Sequence, residues 1–221
     1  LAGGWVVNND QVEALCKLHP DKFYGFASVD PHRADALEVL ERAFFQQGLR
    51  GLKLNPAKQR FDPADERMEP IYALCERENK PIIFHAGLSW EPNAPSRYAH
   101  PLAFEEVAIR HPDLRICLAH FAWPWVREMV MLMIKYPNVY TDTALLYVDS
   151  PEEQMMELFT KDMGSMWFER CFPRQVMFGS NGPRFRAFKL KRALDKVPMR
   201  EFARENLYWK NALRFLSGGE V

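Results

Sequence analysis

The chain has no excess charge of either sign: its 221 residues contain 29 Lys and Arg against 29 Asp and Glu. That balance leaves no electrostatic footprint for DNA or RNA, and no polybasic patch for an anionic membrane surface. No stretch reaches the roughly 18 uninterrupted apolar residues that a spanning helix needs. The first ten residues, LAGGWVVNND, lack the basic start and long apolar run of a signal peptide. Only four cysteines occur (Cys16, Cys75, Cys117 and Cys171), and none forms the C-x-x-C pair of a zinc or redox site. Cys75 and Cys117 lie inside apolar runs, where a thiol behaves as a small hydrophobe. No internal repeat, low-complexity tract or interdomain linker interrupts the chain, so residues 1–221 read as a single domain. Together these absences predict a reduced, cytosolic, soluble protein with neither nucleic acid nor membrane as partner.

What is present is an alternation of short apolar runs with longer helical ones. Residues 23–29, 49–54, 81–86, 115–120, 139–143 and 175–180 read as strands. Helical patterns fill 34–47, 65–80, 101–110, 125–136 and a methionine-rich 151–169, with Gly48 closing the first and Pro101 suited to opening the third. Parallel neighbours need a crossover helix, so this order predicts an α/β fold with a parallel sheet. The strands are continuous rather than alternating in hydropathy, as expected when both faces are covered.

Two architectures suit six βα units. A doubly wound sheet would carry a Gly-rich phosphate turn after its first strand, and none is found. A closed (β/α)8 barrel has eight strands and about 250 residues. The prediction is therefore a TIM-type barrel that is N-terminally incomplete by one or two units. The Pro-rich stretch 90–101 reads as a long loop on its active face.

His85, His120 and Asn181 each fall at or just beyond the C-terminal end of a separate strand, the barrel face on which chemistry is assembled. Imidazoles there would hold a metal or move protons near neutral pH. A single histidine is more simply a hydrogen-bonded core residue; two at equivalent ends of adjacent strands favour function.

The segments GFASVDP, GLRGLKLNP, PIIFHAG, HPLAFEEVAIRHPDLRICLAHFAWPW, NVYTDTA, MFGSNGP and ENLYWKNALRFL, in this order and spacing, resemble the amidohydrolase-2 family over nearly the whole chain. The resemblance implies a metal-dependent TIM barrel of a family that includes hydrolases, lactonases, hydratases and non-oxidative decarboxylases. By the same likeness His85 matches the metal ligand of the fifth barrel strand. His120 matches the histidine of the sixth, a metal ligand or an acid/base. Asn181 stands where many members have an aspartate, and asparagine cannot be a general base toward metal-bound water. The His-x-His pair of the family's first strand is missing, so the chain resembles a member that begins near the end of the second strand. Two histidines fall short of the three protein ligands of catalytic zinc. A divalent metal, zinc first, is thus expected only if the natural protein supplies the other ligands.

Weaker candidates surround these. Lys53 shares a strand face with Gly51 and Asn55; it would hold a substrate carboxylate, carry a carbamate that bridges metals, or simply snorkel from the rim. Arg184, with Arg186, follows the last strand and suits bidentate carboxylate recognition, or is a solvated loop residue. Trp123, with Trp90 and Trp125, would wall a pocket or only pack. Asp142 would approach the site or serve as a turn carboxylate, while His100 and His111, each before a proline, read as structural.

The leading expectation is a hydrolase of a small ester, lactone or amide, with carboxylate recognition by Lys53 or Arg184. Non-oxidative decarboxylation is the alternative, and a non-catalytic homologue that binds a small acid is a third reading. Six tryptophans and sixteen phenylalanines also predict a homo-oligomer.

Overall fold

In the computed structural model, residues 7–145 and 150–219 are described; the first six residues of the N-terminal stretch considered above lie outside them. Six strands form one sheet: β1 (Phe26–Ala27), β2 (Gly51–Leu54), β3 (Ile82–Phe84), β4 (Ile116–Leu118), β5 (Val139–Asp142) and β6 (Val176–Met177). They pair in sequential order, and every pair is parallel. Each connection passes through helix, which makes the chain an α/β protein of TIM-barrel type. No helix among the described residues is long and apolar enough to cross a membrane.

The register sorts the side chains into two layers. Leu52, Ile82, Ile116 and Val139 are consecutive partners across the sheet, and Lys53, Ile83, Cys117 and Tyr140 are the next row. Successive residues of a strand point to opposite faces. The first row belongs to the main core, packed with buried helix residues such as Leu40, Leu74, Met133 and Leu194. The second row faces the other way: Cys117, Tyr140 and Met177 pack with Phe215 of the C-terminal helix Asn211–Ser217. A two-residue step along this face leads from Ile83 to His85 and from Tyr140 to Asp142, so it also carries the polar residues.

The strands are shorter than their apolar runs. β1 keeps two residues of the predicted seven because it pairs with β2 alone, over Phe26↔Gly51 and Ala27↔Leu52. Phe23 and Tyr24 are exposed. β6 stops at Met177 because the next amides leave the ladder: Phe178 N–H donates to Leu207 O (2.7 Å) and Gly179 N–H to Thr143 Oγ1 (3.0 Å). The predicted helix 151–169 is also not continuous. It consists of Pro151–Glu157, a π-helical turn Leu158–Asp162 and a separate Trp167–Cys171, parted at Gly164, whose φ of +104° no helix accommodates. Helix Asn9–Leu18, opened by an Asn8/Gln11 capping box, is not apparent from hydropathy, nor are Ala187–Asp195 and Asn211–Ser217.

A parallel strand is entered from a helix whose last carbonyls lack helical partners. Buried amides satisfy them at the lower end of the sheet. Asn138 Nδ2 lies 2.9 Å from His111 O, 3.2 Å from Leu114 O and 3.3 Å from Ala108 O. Gln175 Nε2 serves Met133, Tyr136 and Val139 in the same manner one unit later, and Asn211 Nδ2 serves Pro173 and Val176. An unpaired buried carbonyl costs about 1–3 kcal/mol. Asn138→Leu and Gln175→Leu should each lower the unfolding free energy by at least that amount, read as a lower urea midpoint at unchanged slope; a change within error would show that water replaces the amide.

Candidate active site

An open cleft of about 1070 Å³ lies over the C-terminal ends of the strands. Asn55, His85, His120 and Asn181 line it together with Lys58, Arg184 and residues 88–93 of the loop after β3. The sequence-derived candidates His85, His120, Asn181 and Arg184 therefore meet in one place.

His85 directly follows β3, and its N–H continues the ladder to Leu54 O at 2.9 Å. Its ring stands edge-on to that of His120, with centroids 4.9 Å apart. Nε2 of His85 is buried and has no hydrogen-bond partner among the described residues. Burial, with the nearby His120 and Lys53, pushes the His85 pKa down to about 3.

His120 is held by the main chain. A carbonyl can only accept, so the 2.7 Å contact between Nδ1 and Ala144 O places the proton on Nδ1. Nε2 is left as the acceptor nitrogen. Burial holds this imidazole below the usual histidine pKa, with Asp142 opposing the shift. His120, Phe121 and Ala122 have φ of +65°, +50° and +47°. Three successive non-glycine residues in the left-handed region cost about 1–3 kcal/mol each, a strain that needs support from outside the loop. Part of that support comes from the loop after β3: Leu88 N–H donates to Trp123 O at 2.8 Å. The approach is close enough that a Cβ on Gly87 (φ +82°) would lie 2.4 Å from the same oxygen.

The other candidates are placed differently. Asn181 (φ +53°) forms a left-handed corner whose carbonyl accepts from Arg184 N–H at 3.0 Å, and Arg184 is exposed at the rim. Lys53 lies on the polar face beneath the histidines; it makes no hydrogen bond or ion pair among the described residues, and burial lowers its pKa against the pull of Asp142. Trp123 is half-buried against the main core, and its carbonyl, rather than its ring, is the part tied to the site. Asp142 Oδ1 accepts from the N–H groups of His120 (2.9 Å) and Ala144 (3.0 Å), with Cys117 Sγ 3.8 Å from Oδ2. His111 sits between Glu69 and Glu76, and Nδ1 of His100 accepts from Leu102 N–H; both are structural.

Hydropathy gave no sign of the rim. Asn55 caps helix Pro56–Gln59 by accepting Lys58 N–H, which carries Lys58 to the cleft. Ser89 Oγ donates to Glu91 at 2.6 Å, and Lys58 Nζ lies 3.8 Å from the same carboxylate. Polar residues in the loops after β2 and β3 were the only signal for this group.

A six-stranded parallel sheet with paired imidazoles at its strand ends defines an enzyme-type barrel face. The sequence profile of the amidohydrolase-2 family (Amidohydrolase) matches residues 2–217, and the chain belongs to this family. No curated protein matches it. Among solved structures it is similar to an uncharacterized TIM-barrel protein from Bordetella bronchiseptica, at 25% identity and a TM-score of 0.79, over 96% of this chain and 74% of that one. It is also similar to a dihydroxybenzoic acid decarboxylase from a Polaromonas species with bound manganese and 2-nitroresorcinol (16% identity, TM-score 0.69, over 94% and 73% of the two chains). A third likeness is to 4-oxalomesaconate hydratase from Rhodopseudomonas palustris (20% identity, TM-score 0.63, over 94% and 69%). These last two likenesses concern the fold.

The partnerless Nε2 of His85 suits a metal ligand. Yet among the described residues no group of three His, Cys, Asp or Glu side chains could hold a cation. Two imidazoles alone do not fit a catalytic divalent metal.

The buried imidazoles carry a pH signature. Because the folded-state pKa of His85 lies below the unfolded value of about 6.5, the unfolded chain takes up the proton first as pH falls. His85 therefore contributes full stability above about pH 6.5 and loses it progressively toward its folded pKa of about 3. His85→Asn should flatten the decline of the urea midpoint between pH 6.5 and 4; an unchanged slope would mean that the ring is already solvated in the native protein.

Proposed function

We propose that the cleft hydrolyses a small ester, lactone or amide bearing a carboxylate, with His120 as the base. The observation that carries this reading is the Nδ1–H···O contact to Ala144, which leaves Nε2 as an unprotonated acceptor at the floor of the cleft. Water held against Nε2 gives up its proton there as its oxygen adds to the substrate carbonyl carbon. The same proton then passes to the departing alkoxide or amine as the tetrahedral adduct collapses. Arg184 and Lys58 are the cations lining the cleft and would hold the carboxylate. The Asn181 carboxamide would orient water or substrate without itself taking a proton.

Asn181 also favours a second reading. Where the last strand supplies no carboxylate to activate water, carbon–carbon cleavage with release of CO2 becomes the alternative, since it consumes no water at the bond broken. Isotopic water separates the two: hydrolysis places 18O in the product acid, and decarboxylation does not.

A panel of small lactones, esters, amides and aromatic carboxylates, assayed metal-free and with added zinc or manganese, tests the proposal. For any substrate turned over, His120→Asn should lower kcat/KM by about 10²–10⁴-fold, the range for loss of a general base. Arg184→Ala should act mainly on KM. Full activity of His120→Asn would refute the assignment of the base, and carboxylate binding without turnover of any substrate would favour a binding-only homologue.

A further inference from the structure

The tautomer of His120 rests on Ala144, a residue 24 positions away, just beyond the end of the neighbouring strand β5. Something must hold the ends of β4 and β5 at the spacing this contact needs, against a run of three left-handed residues that starts at His120 itself. The ladder cannot do it: its last partners between these strands are Leu118 and Thr141. Beyond them, among the described residues, one carboxylate oxygen accepts main-chain amides from both strand ends. Oδ1 of Asp142 accepts the N–H of His120 at 2.9 Å and that of Ala144 at 3.0 Å.

The two bonds differ in meaning. The bond to Ala144, two residues on, is the ordinary local turn of an aspartate, and it would form wherever this sequence left a strand. The bond to His120 spans 22 residues and has no local cause. It satisfies the first amide of the strained loop and leaves the ring of the same residue facing Ala144 O. Asp142, Ala144 and His120 thus close a small ring of three hydrogen bonds, two to the carboxylate oxygen and one from the imidazole. The other charged or titratable groups acting on this corner are Lys53, His85, Cys117 and Arg184. Among the described residues none of them hydrogen-bonds to the His120 ring.

We propose that Asp142 is the positioning residue of the site: by accepting both main-chain amides it fixes the Nδ1–H tautomer of His120 through the Ala144 carbonyl and so keeps Nε2 open to the cleft. The proposal rests on the reading of His120 as the working base, but its geometric content stands apart from any reaction. Asp142 is not among the residues that line the cleft. A role through charge and a role through hydrogen bonding make opposite predictions for an isosteric amide. Asparagine loses the charge and keeps an oxygen able to accept both N–H groups; alanine loses both.

Protein labelled with 15N-histidine, read by long-range 1H–15N correlation between pH 6 and 8, reports the tautomer directly and needs no substrate. The wild-type His120 ring should show the neutral Nδ1–H pattern. Asp142→Asn should retain that pattern, whereas Asp142→Ala should shift it to a mixture with Nε2–H. A pure Nδ1–H signal in folded Asp142→Ala, or loss of the pattern in Asp142→Asn as complete as in the alanine variant, would overturn the proposal. If Asp142→Ala does not fold, the wild type suffices: a scalar coupling across the hydrogen bond from the His120 amide nitrogen to the Asp142 carboxyl carbon is expected, and its absence would also overturn the proposal. Loss of the assigned base would instead appear as full activity of His120→Asn, so failure of the functional reading is separable from failure of this one.

Discussion

The parallel register is the constraint on which the rest of the molecule depends. Side chains alternate across a strand with a period of two, so the alignment of Leu52, Ile82, Ile116 and Val139 in one row places Lys53, Ile83, Cys117 and Tyr140 in the opposite one. A slip of one residue in a single strand would exchange the faces. In β2 it would press an ammonium group into the helix-facing core and turn leucines to the polar side, a cost no local adjustment repairs. The hydrophobic layer that stabilises the sheet is thus the same device that puts His85 and Asp142 on the opposite, polar face. Stability and function are read from alternate residues of the same strands.

A parallel sheet imposes a second demand, because each strand follows a helix and each helix ends in unpaired carbonyls. Asn138, Gln175 and Asn211 meet it with buried primary amides, and each spans two or three carbonyls of the incoming turn. At the upper end the task passes to hydroxyl and carboxylate oxygens. Thr141 Oγ1 donates to Leu118 O, Thr143 Oγ1 bridges Gly179 in both directions, and Asp142 accepts the two amides described above. The lower end therefore needs donors, and amide side chains supply them. The upper end must also satisfy the N–H groups of chains leaving the sheet, and acceptors are gathered there beside the cleft.

This division explains what the sequence made legible. All six strands lie inside apolar runs read as strands, because a strand covered on both faces leaves a continuous run. The histidines could be assigned to one site because both end such runs. Strand lengths were overestimated where the ladder stops for reasons outside the run, as at Met177, where Leu207 and Thr143 take the next amides. The helix 151–169 was read as one because its methionines keep helical spacing through Gly164, and hydropathy carries no record of a φ of +104°. The corner at His120 was the least legible part. Its left-handed run contains no glycine, and its supports, Asp142, Ala144 and Gly87, are 22 to 36 residues from the groups they hold.

The strain at that corner and the protonation of the site have a common origin. The floor of the cleft holds two half-buried imidazoles 4.9 Å apart, and two like charges at that spacing would repel strongly. Both rings are therefore held neutral, and a neutral imidazole is useful only if its tautomer is known. On a freely rotating loop the ring would sample either face. Here it is pinned through Nδ1 to a main-chain carbonyl, on a segment whose left-handed geometry is tied to the next strand by Asp142 and abutted by Gly87. The unfavourable backbone angles are what bring the ring of His120 back toward Ala144 rather than onward along β4. The same feature that costs folding energy thereby leaves a half-buried histidine with its ring oriented and its Nε2 as the free acceptor nitrogen.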